Sequence, residues 1–180
     1  MPRFVALFRG INVGKAKRIA MADLRALLAR MGYAEVQTLL NSGNAIFAST
    51  ATSAARHATA IRKAVASELG VDALVIVKSS QDIAQVVAGN TLGAVADDPS
   101  RLLVALTQEA DALQAIAALT GTDWGHEALR LTPHAAYVWC ADGILQSPAA
   151  TALLKGLAEQ GTTRNWATVE KIHAMLLAKA

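Results

Sequence analysis

Residues 3–15 read Arg-Phe-Val-Ala-Leu-Phe-Arg-Gly-Ile-Asn-Val-Gly-Lys, and this stretch decides the fold. Its first part, Phe4 to Phe8, is a short apolar run that predicts a β-strand. A glycine-containing loop follows from Arg9 to about Lys17, and apolar residues from Leu24 to Met31 then recur at helical spacing. A strand, a loop and a helix in this order begin a β-α-β unit.

The next elements complete a first unit. The sequence predicts strands at Val36–Leu40, Ala45–Ala48 and Leu74–Val77, a hairpin turn at Asn41–Asn44, and a helix that Thr52 or Ser53 caps and Gly70 ends. The resulting order is β-α-β-β-α-β, which is typical of a ferredoxin-like unit. A further helix is predicted after Ser79 or Ser80.

The second half restarts this pattern, which indicates an internal repeat. Residues 101–107 echo residues 3–8, and a helix around Leu113–Leu119 and strands at Ala128–Leu131 and Ala135–Trp139 follow. No fourth strand is predicted; instead, Ser147-Pro148 opens a helix that ends at Gly161, before a last helix. We therefore predict an α+β fold of two tandem ferredoxin-like subdomains, the second degenerate (β-α-β-β) and finished by C-terminal helices. Their bounds are 1–90 and 101–180, with a linker at 91–100.

Composition narrows the class of protein. Of 180 residues, 53% are apolar and 17% charged, which excludes intrinsic disorder as the main state. The chain has no run of about 18 apolar residues and no secretory signal pattern, so we predict a cytoplasmic protein without a membrane partner. The single cysteine, Cys140, is predicted to be a buried, inert thiol. The histidines lack metal-binding spacing, His57 is expected at the surface, and no metal or cofactor is predicted.

Positive charge is concentrated in the first half of the chain. Residues 1–90 carry 11 Lys and Arg against 5 Asp and Glu, whereas residues 91–180 carry 6 against 9. Five bases and no acid occur in residues 1–18, at Arg3, Arg9, Lys15, Lys17 and Arg18. Such a cluster either attracts anions or lies on a solvated loop.

The loop from Arg9 to Lys15 is the first candidate binding segment. Two glycines allow a close backbone approach to an anion, and Arg9 and Lys15 supply charge. The loop departs from a P-loop, because three residues separate the glycines and Ala16 follows Lys15, so a nucleoside triphosphatase is not expected. Since the first two strands of a ferredoxin-like unit run parallel to each other, we expect this loop to lie beside the Asn41–Asn44 turn.

The segment Gly161-Thr162-Thr163-Arg164-Asn165-Trp166 is the other candidate. Thr162 or Thr163 is predicted to cap the last helix, which places Arg164 in its first turn. There the helix dipole disfavours a cation by about 0.3–1 kcal/mol, and a bound anion or a carboxylate would remove the conflict. The alternative is an arginine turned into solvent. We expect this helix start to approach the same sheet edge as the two loops.

These segments together resemble the bacterial domain-of-unknown-function family 1697. The resemblance rests on RGINVGK, LLARMGY, VQTLLNSGN and TTRNWATV and extends from Phe4 to Leu177. It implies paired ferredoxin-like α+β units and no particular reaction. The chain departs from the family pattern at Lys15, Leu39 and Ala167, where Gly, Tyr and Asn are common.

The leading functional hypothesis is binding of a small anion such as a phosphorylated metabolite or nucleotide. The predicted ligand-binding residues are Arg9, Gly10, Asn12, Gly14, Lys15, Ser42, Gly43, Asn44, Thr163, Arg164 and Asn165. No general base is evident, so catalysis is not assigned. The alternatives are nucleic-acid binding through the basic first half, and a protein-interaction module without a ligand that pairs with itself as a homodimer.

Overall fold

The computed structural model describes residues 1–178. Within them the chain forms six α-helices and two four-stranded antiparallel sheets, which makes it an α+β protein. The elements of the first half are β1 (Arg3–Phe8), α1 (Met21–Arg30), β2 (Ala34–Leu39), β3 (Asn44–Ala48), α2 (Ala54–Leu69), β4 (Val75–Ser79) and α3 (Ser80–Ala88). This order agrees with the order predicted from sequence.

The first sheet has the strand order β2-β3-β1-β4. Its central strand β1 runs antiparallel to β3 and β4, and β3 runs antiparallel to β2. One face of the sheet carries Phe4, Ala6 and Phe8, which are buried together with the inner positions of α1 and α2. The Ser53 hydroxyl accepts a hydrogen bond from the Arg56 backbone N–H at 3.3 Å, which confirms one of the two caps predicted for α2.

His57 is buried in this core, so the prediction that it lies at the surface is wrong. Its ring makes edge contacts with Phe4, Tyr33 and Phe47. Nε2 lies 2.9 Å from the Ala51 carbonyl oxygen, which only accepts, so Nε2 carries the proton. Nδ1 lies 2.9 Å from the Tyr33 hydroxyl oxygen, within hydrogen-bond distance. These two bonds satisfy the ring nitrogens, and hydrophobic neighbours decide its position.

The second sheet has the order β6-β7-β5-β8. Its elements are β5 (Leu102–Thr107), α4 (Ala110–Leu113) continued by a 3₁₀ helix (Gln114–Gly121), β6 (Ala128–Leu131), β7 (Ala136–Trp139), α5 (Pro148–Leu157), β8 (Gly161–Asn165) and α6 (Trp166–Leu177). A short 3₁₀ turn (Ile144–Gln146) precedes α5, which the Ser147 hydroxyl caps as predicted. Cys140 is buried, and burial raises the pKa of its thiol.

Strand β8 corrects the prediction that the second unit lacks a fourth strand. Gly161 begins this strand and does not end α5, which stops at Leu157. β8 pairs antiparallel with β5 along its whole length, from Leu103 opposite Asn165 to Thr107 opposite Gly161. The local sequence has little apolar character, so its extended form depends on pairing with a distant strand.

By mutual contacts the described chain forms two compact units. One contains residues 1–81 and the C-terminal segment from residue 172, and the other contains residues 82–171. Residues 91–100, which have neither helix nor strand, lie inside the second unit, and the predicted bounds of 1–90 and 101–180 stay a prediction. None of the helices within residues 1–178 combines the length and apolar character needed to cross a bilayer.

Candidate functional site

The loop after β1 and the turn between β2 and β3 are neighbours at one edge of the first sheet. The side-chain Nδ2 of Asn12 donates to the Asn41 carbonyl at 2.7 Å, and the Phe8 backbone N–H donates to the Gly43 carbonyl at 3.0 Å. Because β1 and β2 both run antiparallel to β3, they are parallel to each other and end at the same edge. The predicted proximity of the two segments is therefore confirmed.

Asn12 joins these segments. Its Nδ2 also donates to the Ile19 carbonyl at 2.9 Å, and its Oδ1 accepts from the Ile19 N–H at 2.8 Å. Its backbone N–H donates to the Lys17 carbonyl at 2.9 Å, and its φ of 56° is one that Asn tolerates. Both amide hydrogens of Asn12 are thus used within the protein. Asn12 therefore holds the loop against the turn, and its predicted role in ligand binding stays a prediction.

Substitution of Asn12 by Asp is expected to destabilise this junction. The carboxylate keeps the size of the side chain and the acceptor for the Ile19 N–H, but it cannot donate to the two carbonyl oxygens. We expect a loss of about 1–2 kcal/mol in the free energy of unfolding at pH 7, measured by urea denaturation. The control is Asn41→Asp, since only the backbone carbonyl of Asn41 accepts this bond. Equal losses in the two variants would contradict the assignment.

Gly43 and Asn44 shape the turn itself. Gly43 has a φ of 92°, and a Cβ added there would lie 2.6 Å from the Ile11 Cδ1 atom and 2.8 Å from the Phe8 Cβ atom. Asn44 is fully buried, and its Nδ2 donates to the Leu39 carbonyl at 2.7 Å and to the Ser42 hydroxyl at 3.3 Å. The absence of a side chain at Gly43 therefore allows the turn to pack closely against Ile11 and Phe8.

A cavity of about 330 Å³ lies beside this junction. It is lined by Asn12, Arg18, Ile19, Ala20 and Asn41. Ala20 precedes α1, and no side chain caps the N-terminus of that helix. The backbone N–H groups of its first turn and the Arg18 guanidinium therefore give this edge a positive potential, which Asp23 in the same turn partly offsets.

The other bases of the N-terminal cluster have different surroundings. Lys15 is exposed on the same loop and does not line the cavity. Lys17 acts on the Asp72 carboxyl. The pKa of that carboxyl is held below its usual value mainly by hydrogen bonds from Arg62, and the positive charge of Lys17 lowers it further. Arg9 is half-buried, with its backbone N–H bonded to the Leu74 carbonyl at 3.0 Å. Of the five bases in residues 1–18, Arg18 is the one that lines the cavity, and the predicted ligand-binding roles of Arg9 and Lys15 stay predictions.

Arg3 has a structural role. Its guanidinium donates to the carbonyls of Met175 at 2.8 Å and Leu176 at 3.2 Å, and also to that of Ala178. Its Nε lies 3.3 Å from a carboxylate oxygen of Glu35. A cation at the C-terminal end of α6 satisfies carbonyls that have no helical partner. This arrangement ties the C-terminal segment to β1 within the first compact unit.

The third predicted segment lies in the second compact unit. Thr163, Arg164 and Asn165 belong to β8, so the prediction that Thr162 or Thr163 caps α6 is wrong. The cap is Asn165, whose Oδ1 accepts from the Thr168 N–H at 2.9 Å. Arg164 therefore lies in the strand before α6 and not in its first turn. Its predicted approach to the first-sheet loops stays a prediction.

Arg164 is buried and bonded to its neighbours. It is 8% exposed, and burial lowers the pKa of its guanidinium to about 10. Its Nη1 donates to the Thr162 hydroxyl at 3.0 Å and to the Thr163 carbonyl at 2.7 Å. Arg164 precedes α6, so the conflict with the helix dipole that was predicted for a position in its first turn does not arise.

The sequence reasoning missed three residues that line the cavity: Arg18, Ile19 and Ala20. Arg18 belonged to the basic cluster, and its position just before the first turn of α1 was the available signal. Ile19 and Ala20 carry no chemical signal of their own. Within residues 1–178, no group of three or more His, Cys, Asp or Glu is arranged to hold a metal ion.

Fold and cavity define a two-sheet α+β protein with a small polar cavity at one sheet edge. Residues 1–137 match the family described as Protein of unknown function (DUF1697), and the chain belongs to this family. The chain is also similar to the structure of the conserved bacterial protein SP0830 from Streptococcus pneumoniae, with a TM-score of 0.75 and 24% sequence identity over 97% of this chain and 98% of that chain. At this identity the likeness concerns the fold. Among curated proteins, none matches this chain in sequence.

Proposed function

We propose that this protein binds a small phosphorylated metabolite in the cavity beside Asn12. The observation that carries the proposal is a cavity of about 330 Å³ with the Arg18 guanidinium in its lining. This volume lies within the range of small-molecule sites, about 300–1,000 Å³. Arginine is suited to phosphate because its planar fork can donate two parallel hydrogen bonds.

The surroundings support an anion rather than a cation or a neutral ligand. The first turn of α1 begins at the cavity without a side-chain cap, so its N–H groups favour negative charge. Lys15 and Lys17 are exposed on the same loop and add a positive field. Arg164 is left out of the proposed site because it lies in the interior of the second unit.

A titration with matched arginine variants tests this proposal. Binding of inorganic phosphate and ribose 5-phosphate would be measured by calorimetry at low ionic strength. We expect Arg18→Ala to weaken binding by roughly tenfold, the size of one charge-assisted hydrogen bond. Arg56→Ala is the control, because it removes the same charge at an exposed position on α2. Arg56 lines a different depression and not the proposed cavity. Asp23→Asn should strengthen binding by removing a repulsive carboxylate.

Two results would contradict the proposal: no binding of either compound, or equal losses in the Arg18 and Arg56 variants. Tight binding of oligonucleotides with a steep dependence on salt would favour the nucleic-acid alternative.

We also interpret the shared strand order of the two sheets as a pair of ferredoxin-like units that arose by internal repetition.

A further inference from the structure

The cavity beside Asn12 has no aromatic residue in its lining. The first compact unit contains four aromatic residues other than histidine: Phe4, Phe8 and Phe47 are buried in its hydrophobic core, and Tyr33 is half-buried against that core. Within the described residues of the first unit, this edge of the sheet therefore offers no ring on which a base can stack. Proteins that bind bases commonly use such stacking.

The lining instead suits phosphate and hydroxyl groups. Arg18 provides a guanidinium, and Asn41 is an exposed residue whose amide can both donate to and accept from a hydroxyl. The amide hydrogens of Asn12 are already used on Ile19 and Asn41, so Asn41 is the amide side chain left for a ligand. The volume of about 330 Å³ is near the lower end for small-molecule sites.

From this lining we infer that the ligand is a phosphate monoester of a small sugar or polyol, and that the site provides no recognition of a nucleobase. This inference rests on the proposed function and narrows it. Arg18 binds the phosphate, and Asn41 binds a hydroxyl group of the carbon chain. The base of a nucleotide then adds nothing to its binding affinity.

Ribose 5-phosphate and adenosine 5′-monophosphate provide the test, because they share the phosphate and the ribose ring and differ at C1, where adenine replaces the anomeric hydroxyl. Calorimetric titrations of the full chain would compare both with inorganic phosphate. We expect ribose 5-phosphate to bind about threefold or more tighter than inorganic phosphate, since a neutral hydrogen bond is worth a factor of this order. Adenosine 5′-monophosphate should bind no more than about threefold tighter than ribose 5-phosphate, whereas a stacked base would add about tenfold or more.

Asn41→Ala separates the two parts of the ligand. It should remove the preference for ribose 5-phosphate over inorganic phosphate. The inference is overturned if adenine strengthens binding beyond that limit, or if the preference for ribose 5-phosphate is absent in the wild type or survives in Asn41→Ala. If none of the three compounds binds, the proposed function itself fails, so the two failures are distinguishable.

Discussion

Replacement of Gly43 by alanine is expected to lower the free energy of unfolding of the first unit by about 2–5 kcal/mol. Two terms contribute: about 1–2 kcal/mol for a residue with a Cβ at positive φ, and about 1–3 kcal/mol for overpacking. The second term arises because the new Cβ would lie 2.6 Å from Ile11 Cδ1 and 2.8 Å from Phe8 Cβ. Native-state hydrogen exchange of the amides in β1 and β3 measures this loss locally.

Gly14→Ala is the matched control for the Gly43 variant. Gly14 also has a positive φ, of 64°, but no atom lies within 4 Å of an added Cβ. The control should therefore show the conformational term alone, about 1–2 kcal/mol. If the two variants lose the same free energy, the contact between turn and loop does not restrict position 43.

Phe47→Ala should be the most damaging change in the aromatic core, with a loss of about 3–5 kcal/mol. Phe47 is fully buried, and its ring lies 4.4 Å from that of Tyr33, 5.3 Å from that of His57 and 5.5 Å from that of Phe4, measured between centroids. Truncation removes all three contacts and leaves a cavity. Urea denaturation followed by circular dichroism measures the loss.

Val13→Ala provides the comparison, because Val13 is 73% exposed and its truncation removes little buried surface. It should change the free energy of unfolding by less than about 0.5 kcal/mol. A Phe47→Ala loss below about 1 kcal/mol would mean that the core refills the space and that the aromatic cluster is not a principal source of stability.

Most elements were predictable because their signals are local. The apolar run of β1, the hydroxyl of Ser53 before α2 and the Ser147-Pro148 pair before α5 each act within a few residues. β8 was not predictable in this way. Gly161–Asn165 carries cap-forming residues, and its extended form results from pairing with β5, far away in sequence.

The site shows the same division. The neighbourhood of the Arg9–Lys15 loop and the Asn41–Asn44 turn followed from strand order, because parallel strands end at one sheet edge. The role of each polar residue did not follow, since a side chain's partners depend on its direction. The sequence suggested Asn12 as a ligand-binding residue, which stays a prediction, but it did not show that the Asn12 amide joins Ile19 and Asn41.

By itself, the sequence determined the family, the α+β class and the order of elements in the first unit, because periodicity, turn residues and caps are properties of short segments. Only the tertiary structure decided which basic residue lines the cavity. Arg3, Lys17 and Arg18 are equivalent as charges in the sequence, but Arg3 holds the end of α6, Lys17 acts on Asp72, and Arg18 lines the cavity. The physical reason is that an electrostatic role depends on distances to atoms remote in the chain, and folding sets those distances.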